Sequence, residues 1–383
     1  MMKKKTAAVF PVFSDTIPII RYLYLQSDEY NIVELLSPSG CGVCGMDAGY
    51  ADNKSLLGIT VVDYKNSRFD GWDYLILLNH AHNERDGYEA ANEGVLRKAG
   101  ALGKRILTHS EAMSATLSKI GKTDSDLTSF QWLNHSDNHD MSILEQYASH
   151  EMRYPNVVTV LVGELINDYS GLSPFLNLYH TLSKYAKVVL ITTETNLCLC
   201  GAISLQPVLG NMLLSERDKI LYMNKAVCDI YDNFNPDIIM IYSDKPLFAY
   251  NDRIYGDFGV SMYMITQAIN ITYFVSSIPT LYFDPIYINE LTEQTENCFG
   301  VPIDFASISN TFVDDTASSN TVHTPICHVA PEKVQSMLQS CKSVNLGICN
   351  GDLTSEDCVD ECVDSIMAIL DDKRFGSVVF EER

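Results

Sequence analysis

The sequence predicts an α/β protein built from two Rossmann-like or P-loop-like parallel-sheet domains. Short apolar runs of strand length alternate with amphipathic helical runs, the pattern of parallel strands joined by helical crossovers. The 383 residues exceed one ordinary domain. A polar stretch rich in Ser, Asp and Asn interrupts the alternation near residues 122–154, as a connector would. With 46% hydrophobic and 20% charged residues, the chain can bury a sizeable core.

In the first half, TAAVFPVF (6–13) is strand-like and TIPIIRYLYLQ (16–26) is an amphipathic helix. NIVELL (31–36), GITVVDY (58–64) and DYLILLN (73–79) are further strands. A helix over 91–103, a strand over 104–109 and a helix over 111–121 complete the unit. We therefore place a Rossmann-like domain at 1–125, a linker at 126–154, and a degenerate P-loop-like domain with C-terminal helices at 155–383. The second domain opens as strand (157–162), loop (163–171), helix (172–185) and strand (188–193). A long helix (215–234), an apolar strand (236–243), a helix (258–269) and a core strand (271–278) follow. After Asp284 and Pro285 the pattern weakens, and residues 298–314 read as irregular or β. A strand at 322–329 and helices at 331–340 and 355–372 end the chain.

The net charge of −22 argues against a nucleic-acid backbone or an anionic membrane surface as the main partner, since both need a positive footprint. No run of about 18 apolar residues exists, so no membrane span is expected. Pro11, Ser14 and Asp15 break the apolar run of MMKKKTAAVFPVFSDT, and no cleavage site follows. A cytoplasmic protein is expected, its eleven cysteines reduced and mostly packed as small apolar residues.

The loop after VVTVLV tests for nucleotide chemistry. A P-loop needs G-x-x-x-x-G-K-[ST], whose N–H groups wrap phosphate, whose Lys neutralises it and whose hydroxyl holds magnesium. Here the string is GELINDYS. Gly163 and Ser170 fit, but Asp168 stands where the second Gly belongs and Tyr169 where the Lys belongs. Asp244 ends an apolar strand where P-loop proteins place a magnesium-holding carboxylate, although Asp before Lys245 and Pro246 is also an ordinary turn former. Glu194 is comparable.

A second loop, GCGVCGMDAGY (40–50), combines four glycines with a Cys-x-x-Cys pair. Phosphate binding lacks a cation there, and a zinc site lacks its second pair. A redox thiolate wants a helix N-terminus, which Gly45 and Gly49 argue against. A shaped loop that binds a polar ligand or peptide through backbone N–H groups remains, beside a tight turn. Cys198 with Cys200, Cys358 with Cys362, and His80 with His82 are weaker ligand pairs, and no metal site is assigned. There is no G-x-S-x-G nucleophile elbow, and Asp63, Asp70 and Asp73 read as loop carboxylates.

The order VLVGELINDYSG, VVLITTETNLCLCGA, LSERDKILYMNKAVCDIYDNFNPDIIMIY and FGVSMYMITQAI, with SPSGCGVCGMDAGYAD near the start, resembles the clostridial peptide maturation system proteins. The resemblance runs from Ala8 to about Pro285. It implies an accessory role in maturing a ribosomally synthesised Cys-rich peptide of bacteriocin type, with the precursor peptide and its radical-SAM maturase as partners. It assigns no catalytic residues and leaves the cofactor unknown. Its motif positions are Gly42, Cys44, Gly45, Asp47, Gly49 and Tyr50. The second domain also resembles P-loop proteins of the dethiobiotin-synthetase type, without their Lys and second Gly. These six positions, with Gly163, Ser170 and Asp244, form the candidate ligand-binding set. The main expectation is a binding or scaffold protein. The alternative is an enzyme acting on a nucleotide-like or thiol ligand held between the domains.

Overall fold

Parallel strands buried on both faces need near-continuous apolar sequence, and this chain supplies it twice. A computed structural model describes residues 4–40, 42–52, 54–79, 88–108, 150–251, 254–313, 326–342 and 348–376. It divides into two compact units, Met1–Phe130 with Thr195–Gly201, and Gln131–Glu194 with Ala202–Arg383. Thr195–Gly201, from the stretch assigned by sequence to the second domain, thus groups with the first unit.

In the first unit the described elements are β1 (Lys5–Phe10), α1 (Ile17–Leu25), β2 (Tyr30–Ser37), β3 (Val61–Asp63), β4 (Tyr74–Leu77), α2 (Tyr88–Ala101) and β5 (Arg105–Leu107). They form a five-stranded sheet in the order β3-β2-β1-β4-β5, every pair parallel. The apolar stripe of α1, Ile17, Ile19, Ile20 and Leu23, is wholly buried, and Pro18 sits in its first turn, where its missing N–H costs nothing. Phe10, Phe69, Trp72, Leu75, Val95 and Leu96 belong to the core cluster of this unit. The helix expected over 111–121, the pair His80 and His82, and most of the connector lie outside the described residues.

The second unit contains β6 (Val158–Glu164), α3 (Leu172–Leu182), β7 (Val188–Thr192), β8 (Ile203–Ser204), α4 (Gln206–Leu209), α5 (Glu216–Phe234), β9 (Ile238–Pro246) and α6 (Val260–Ala268). It continues with β10 (Tyr273–Pro279), α7 (Pro285–Phe299), β11 (Phe305–Ser309), β12 (Thr311–Val313), β13 (Ile326–His328), α8 (Pro331–Lys342), β14 (Cys349–Gly351) and α9 (Glu356–Gly376). Seven strands make a parallel sheet in the order β14-β11-β10-β6-β9-β7-β8, and β12 and β13 form a separate antiparallel pair. Leu161, Ile239, Ile241 and Phe274 from the strands share one core cluster with Met223 and Val227 of α5, Met262 of α6 and Leu338 of α8. None of the described helices is long and apolar enough to cross a membrane.

Where the pattern was expected to weaken, the chain forms α7. The Asp284 carboxylate accepts the N–H groups of Ile286 (3.0 Å) and Tyr287 (3.3 Å), Pro285 opens the helix, and Gly300 ends it at φ 75°. Its buried positions, Ile288, Leu291, Thr295 and Phe299, fall on one face. Only four of fifteen residues are buried, so the apolar signal was thin although both caps were legible.

Candidate functional site

In the second sheet β6 lies between β9 and β10. The chain leaves β6 toward β7 on the β9 side and later crosses to β10 on the other. The C-terminal end of β6 is therefore a switch point, the place where open α/β sheets hold ligands.

Glu164, the last residue of β6, is fully buried. Its Oε2 accepts the N–H groups of Asp168 (3.1 Å) and Tyr169 (2.9 Å), and its Oε1 accepts the Gly171 N–H (2.9 Å) and the Tyr242 hydroxyl. The loop N–H groups that would wrap a phosphate in a working P-loop converge here on the chain's own carboxylate. Tyr169 adopts φ 58° in this turn. A Cβ at Gly171 would stand 3.2 Å from Cγ and Oε1 of Glu164, so the glycine gives the carboxylate its room.

The sequence-selected residues of this loop have internal roles. A Cβ at Gly163 would lie 2.9 Å from the Met262 side chain and 3.2 Å from Phe274, so Gly163 lets α6 and β10 pack closely rather than shaping the loop. The Ser170 hydroxyl contacts Asp168 Oδ1 (2.5 Å) and Ser277 Oγ (2.7 Å). Asp168 also accepts the Thr311 hydroxyl. Asp244 accepts the Thr193 hydroxyl and the Lys245 ammonium (2.8 Å), while its N–H donates to Thr193 Oγ1 (2.9 Å). The structure thus gathers Ser170 and Asp168 around Glu164. The Asp244 charge also acts on Glu164. Glu164, Tyr242 and Thr193 were absent from the sequence-selected set. The available signal was a carboxylate closing the apolar run VVTVLVGE.

Burial pushes the Glu164 carboxyl well above its ordinary range, and the Asp168 charge adds to it, against the donors Tyr242 and Gly171. Burial raises Asp168 despite its bonds from Ser170 and Thr311. Burial and then Glu164 raise the Tyr242 hydroxyl. For Lys245 burial acts downward but is outweighed by Asp244, Glu194 and Asp257, so its ammonium is held. Asp244 and Glu194, both buried, act on Lys245, and Asp168 and Asp244, both buried, act on Glu164. That field opposes an incoming polyanion.

The glycine-rich loop of the first unit is stapled by a carboxylate too. Asp47 accepts the N–H groups of Gly49 (2.8 Å), Leu57 (2.8 Å) and Gly58 (2.7 Å). Burial is the largest single influence on Asp47 and acts upward, but the N–H groups of Leu57, Gly49, Gly58 and Ile59 together hold the carboxyl below its usual range. A Cβ at Gly49 would come within 2.4 Å of the Ser55 carbonyl oxygen, so only glycine fits. Gly42 and Gly45 take φ 87° and 85°. The Cys44 thiol lies on the carbonyls of Pro38 (3.5 Å) and Ser37 (3.8 Å), and the short 3-10 turn Ala48–Ala51 begins after it. Tyr50 is 55% exposed. Arg21 of α1 grips Asp52 with Nε (3.0 Å) and Nη2 (2.8 Å), which fastens the loop's end to the domain. Gly42, Cys44, Gly45, Asp47, Gly49 and Tyr50 do share one loop. Asp47 and Gly49 are engaged in building it.

Among the described residues no group of three or more His, Cys, Asp or Glu is arranged to hold a metal ion. Burial pushes the Cys362 thiol up to about 12, beside the Tyr273 hydroxyl at 3.8 Å. Burial also lifts the Cys200 thiol far above its ordinary value. Neither supplies a thiolate near neutral pH.

A DUF1611 family protein from Anabaena variabilis aligns over 95% of this chain and 100% of its own, with a TM-score of 0.57 and 11% identity. That likeness shows a shared fold. A GTPase from Pyrococcus abyssi (9% identity, 40% of this chain and 68% of its own, TM-score 0.23) and the signal recognition particle 54 kDa protein of Aeropyrum pernix (11%, 76% and 70%, 0.29) overlap too weakly to carry an argument. No protein-family model matches the chain, and no curated protein matches it.

Proposed function

We propose that this chain is an accessory binding protein that acts in the cytoplasm during maturation of a ribosomally synthesised Cys-rich peptide, and that it does not hydrolyse nucleotides. The carrying observation is the Glu164 carboxylate inside the loop that a nucleotide phosphate would need. P-loop chemistry is almost wholly positioning and charge neutralisation. Here a polyphosphate would have to expel a buried side chain held by four donors, then sit beside Asp168, Asp244 and Glu194 with Lys245 as the nearby cation. An architecture kept without its chemistry suits holding or presenting a partner. The motif resemblance supplies the partners, a Cys-rich precursor peptide and its radical-SAM maturase, and the net charge of −22 suits a basic segment in either. The alternative of thiol chemistry draws no support from Cys44, whose Sγ rests on two backbone carbonyls.

Calorimetric titration of the full chain with the precursor peptide, with the maturase, and with magnesium ATP or GTP tests this reading. The expected result is heat of binding with peptide or maturase, and neither binding nor hydrolysis with nucleotide. Silence toward both proteins, or nucleotide turnover that ends in Asp244→Asn, overturns it.

A further inference from the structure

We propose that the loop between β6 and α3 is an oxyanion site that the chain keeps shut with Glu164, and that a small monocarboxylate takes it when that side chain is gone. A carboxyl group already sits in the cradle. Three N–H groups at 2.9–3.1 Å and the buried Tyr242 hydroxyl donate to its two oxygens, and it differs from a carboxylate ligand in being tethered to β6 and pressed by the Asp168 charge. The inference shares the filled loop with the proposed function but needs neither the peptide nor its maturase.

The cradle does not depend on the plug for its frame. The backbone of Glu164 is fixed by ladder bonds, since the Leu247 N–H donates to its carbonyl (3.0 Å) and the next N–H, Leu165, donates to the Ser277 carbonyl (3.0 Å). The far side of the loop is tied by Asp168 to Ser170 and Thr311. Removing the side chain therefore leaves a framed cavity in which the Tyr169 and Gly171 N–H groups and the Tyr242 hydroxyl lose this acceptor, while the Asp168 N–H keeps the Ile166 carbonyl (2.8 Å). Such a cavity selects for charge, size and shape. A planar carboxylate reproduces the two oxygens now present. A dianion is disfavoured, because Asp168 and Asp244 act on the same position and the P-loop Lys is replaced by Tyr169. Formate and acetate are therefore the preferred occupants, ahead of phosphate.

The experiment compares the wild-type full chain with Glu164→Ala and with Leu338→Ala, a core deletion in α8 that controls for general salt effects. Melting temperature is followed against formate, acetate, phosphate and chloride at constant ionic strength. Glu164→Ala should melt below wild type and recover saturably with formate or acetate, less with phosphate, while wild type and Leu338→Ala show no saturable rise. If Glu164→Ala does not accumulate folded, its refolding yield should be higher in formate than in chloride. A carboxylate response no larger than that of wild type and Leu338→Ala, or a refolding yield indifferent to the anion, overturns the proposal. Neither result bears on peptide binding, which the titrations above decide separately.

Discussion

Replacing Glu164 with alanine takes an acceptor from the Tyr169 and Gly171 N–H groups and the Tyr242 hydroxyl, while the Asp168 N–H keeps the Ile166 carbonyl, so the cost is set by lost hydrogen bonds more than by lost volume. About 3 kcal/mol or more of unfolding free energy is expected. The same residue sets a pH signature. An unfolded Glu titrates near about 4.3 and an unfolded Asp near about 3.9, whereas burial raises both Glu164 and Asp168 in the fold. Between those values the folded state binds more protons than the unfolded state, so their contribution to stability falls as pH rises toward the folded values. Asp47 behaves oppositely, because its folded carboxyl is held low. Its stabilisation is present above about pH 3.9 and is lost as pH falls through its lower folded value. Urea unfolding from about pH 3 to about pH 8 should show the first decline weakened in Glu164→Gln, and the loss at acid pH weakened in Asp47→Asn. Identical profiles for wild type and Glu164→Gln would remove the electrostatic account.

At the scale of elements, both glycine-bearing loops are closed by a carboxylate that follows or precedes the glycines, and this decides what each loop is for. In the first unit Asp47 ties residue 49 to residues 57 and 58, and Gly49 passes against the Ser55 carbonyl. Gly49→Ala should cost about 1–3 kcal/mol by crowding, while Gly42→Ala, with open space around its Cβ, pays only for its positive φ. Chemical denaturation of the two variants checks the order, and a milder loss at Gly49 would contradict the packing. Much of this scale was legible beforehand. The strands of both sheets follow apolar runs, and α5 begins where Ser215 caps it. The helix α7 escaped because eleven of its fifteen residues are not buried, leaving the caps Asp284 and Gly300 as its clearest marks. The short strands β8 and β14 carry too few residues for periodicity to register.

For the molecule as a whole, the charge of −22 is spread over a chain with 27 basic residues among 383. Long-range repulsion should keep it off polyanions: at about 0.15 M salt, fluorescence anisotropy with duplex DNA and co-sedimentation with anionic vesicles should both show no binding. Saturable binding to either would point to a local basic surface that the net balance conceals.

The sequence by itself determined the two parallel sheets, because strands buried on both faces demand unbroken apolar runs and crossovers demand helices between them. It also determined that the loop after β6 lacks the Lys and second Gly of a P-loop, since those are identities and need no coordinates. Only the tertiary structure decided what fills that loop. A glutamate closing a strand carries no local signal of its partner. Its partners are Asp168, Tyr169 and Gly171, which reach it through the turn of the loop, and Tyr242, seventy-eight residues away on β9. Burial then favoured the pairing, because a desolvated carboxyl group and the donors around it are each costly alone and satisfied together.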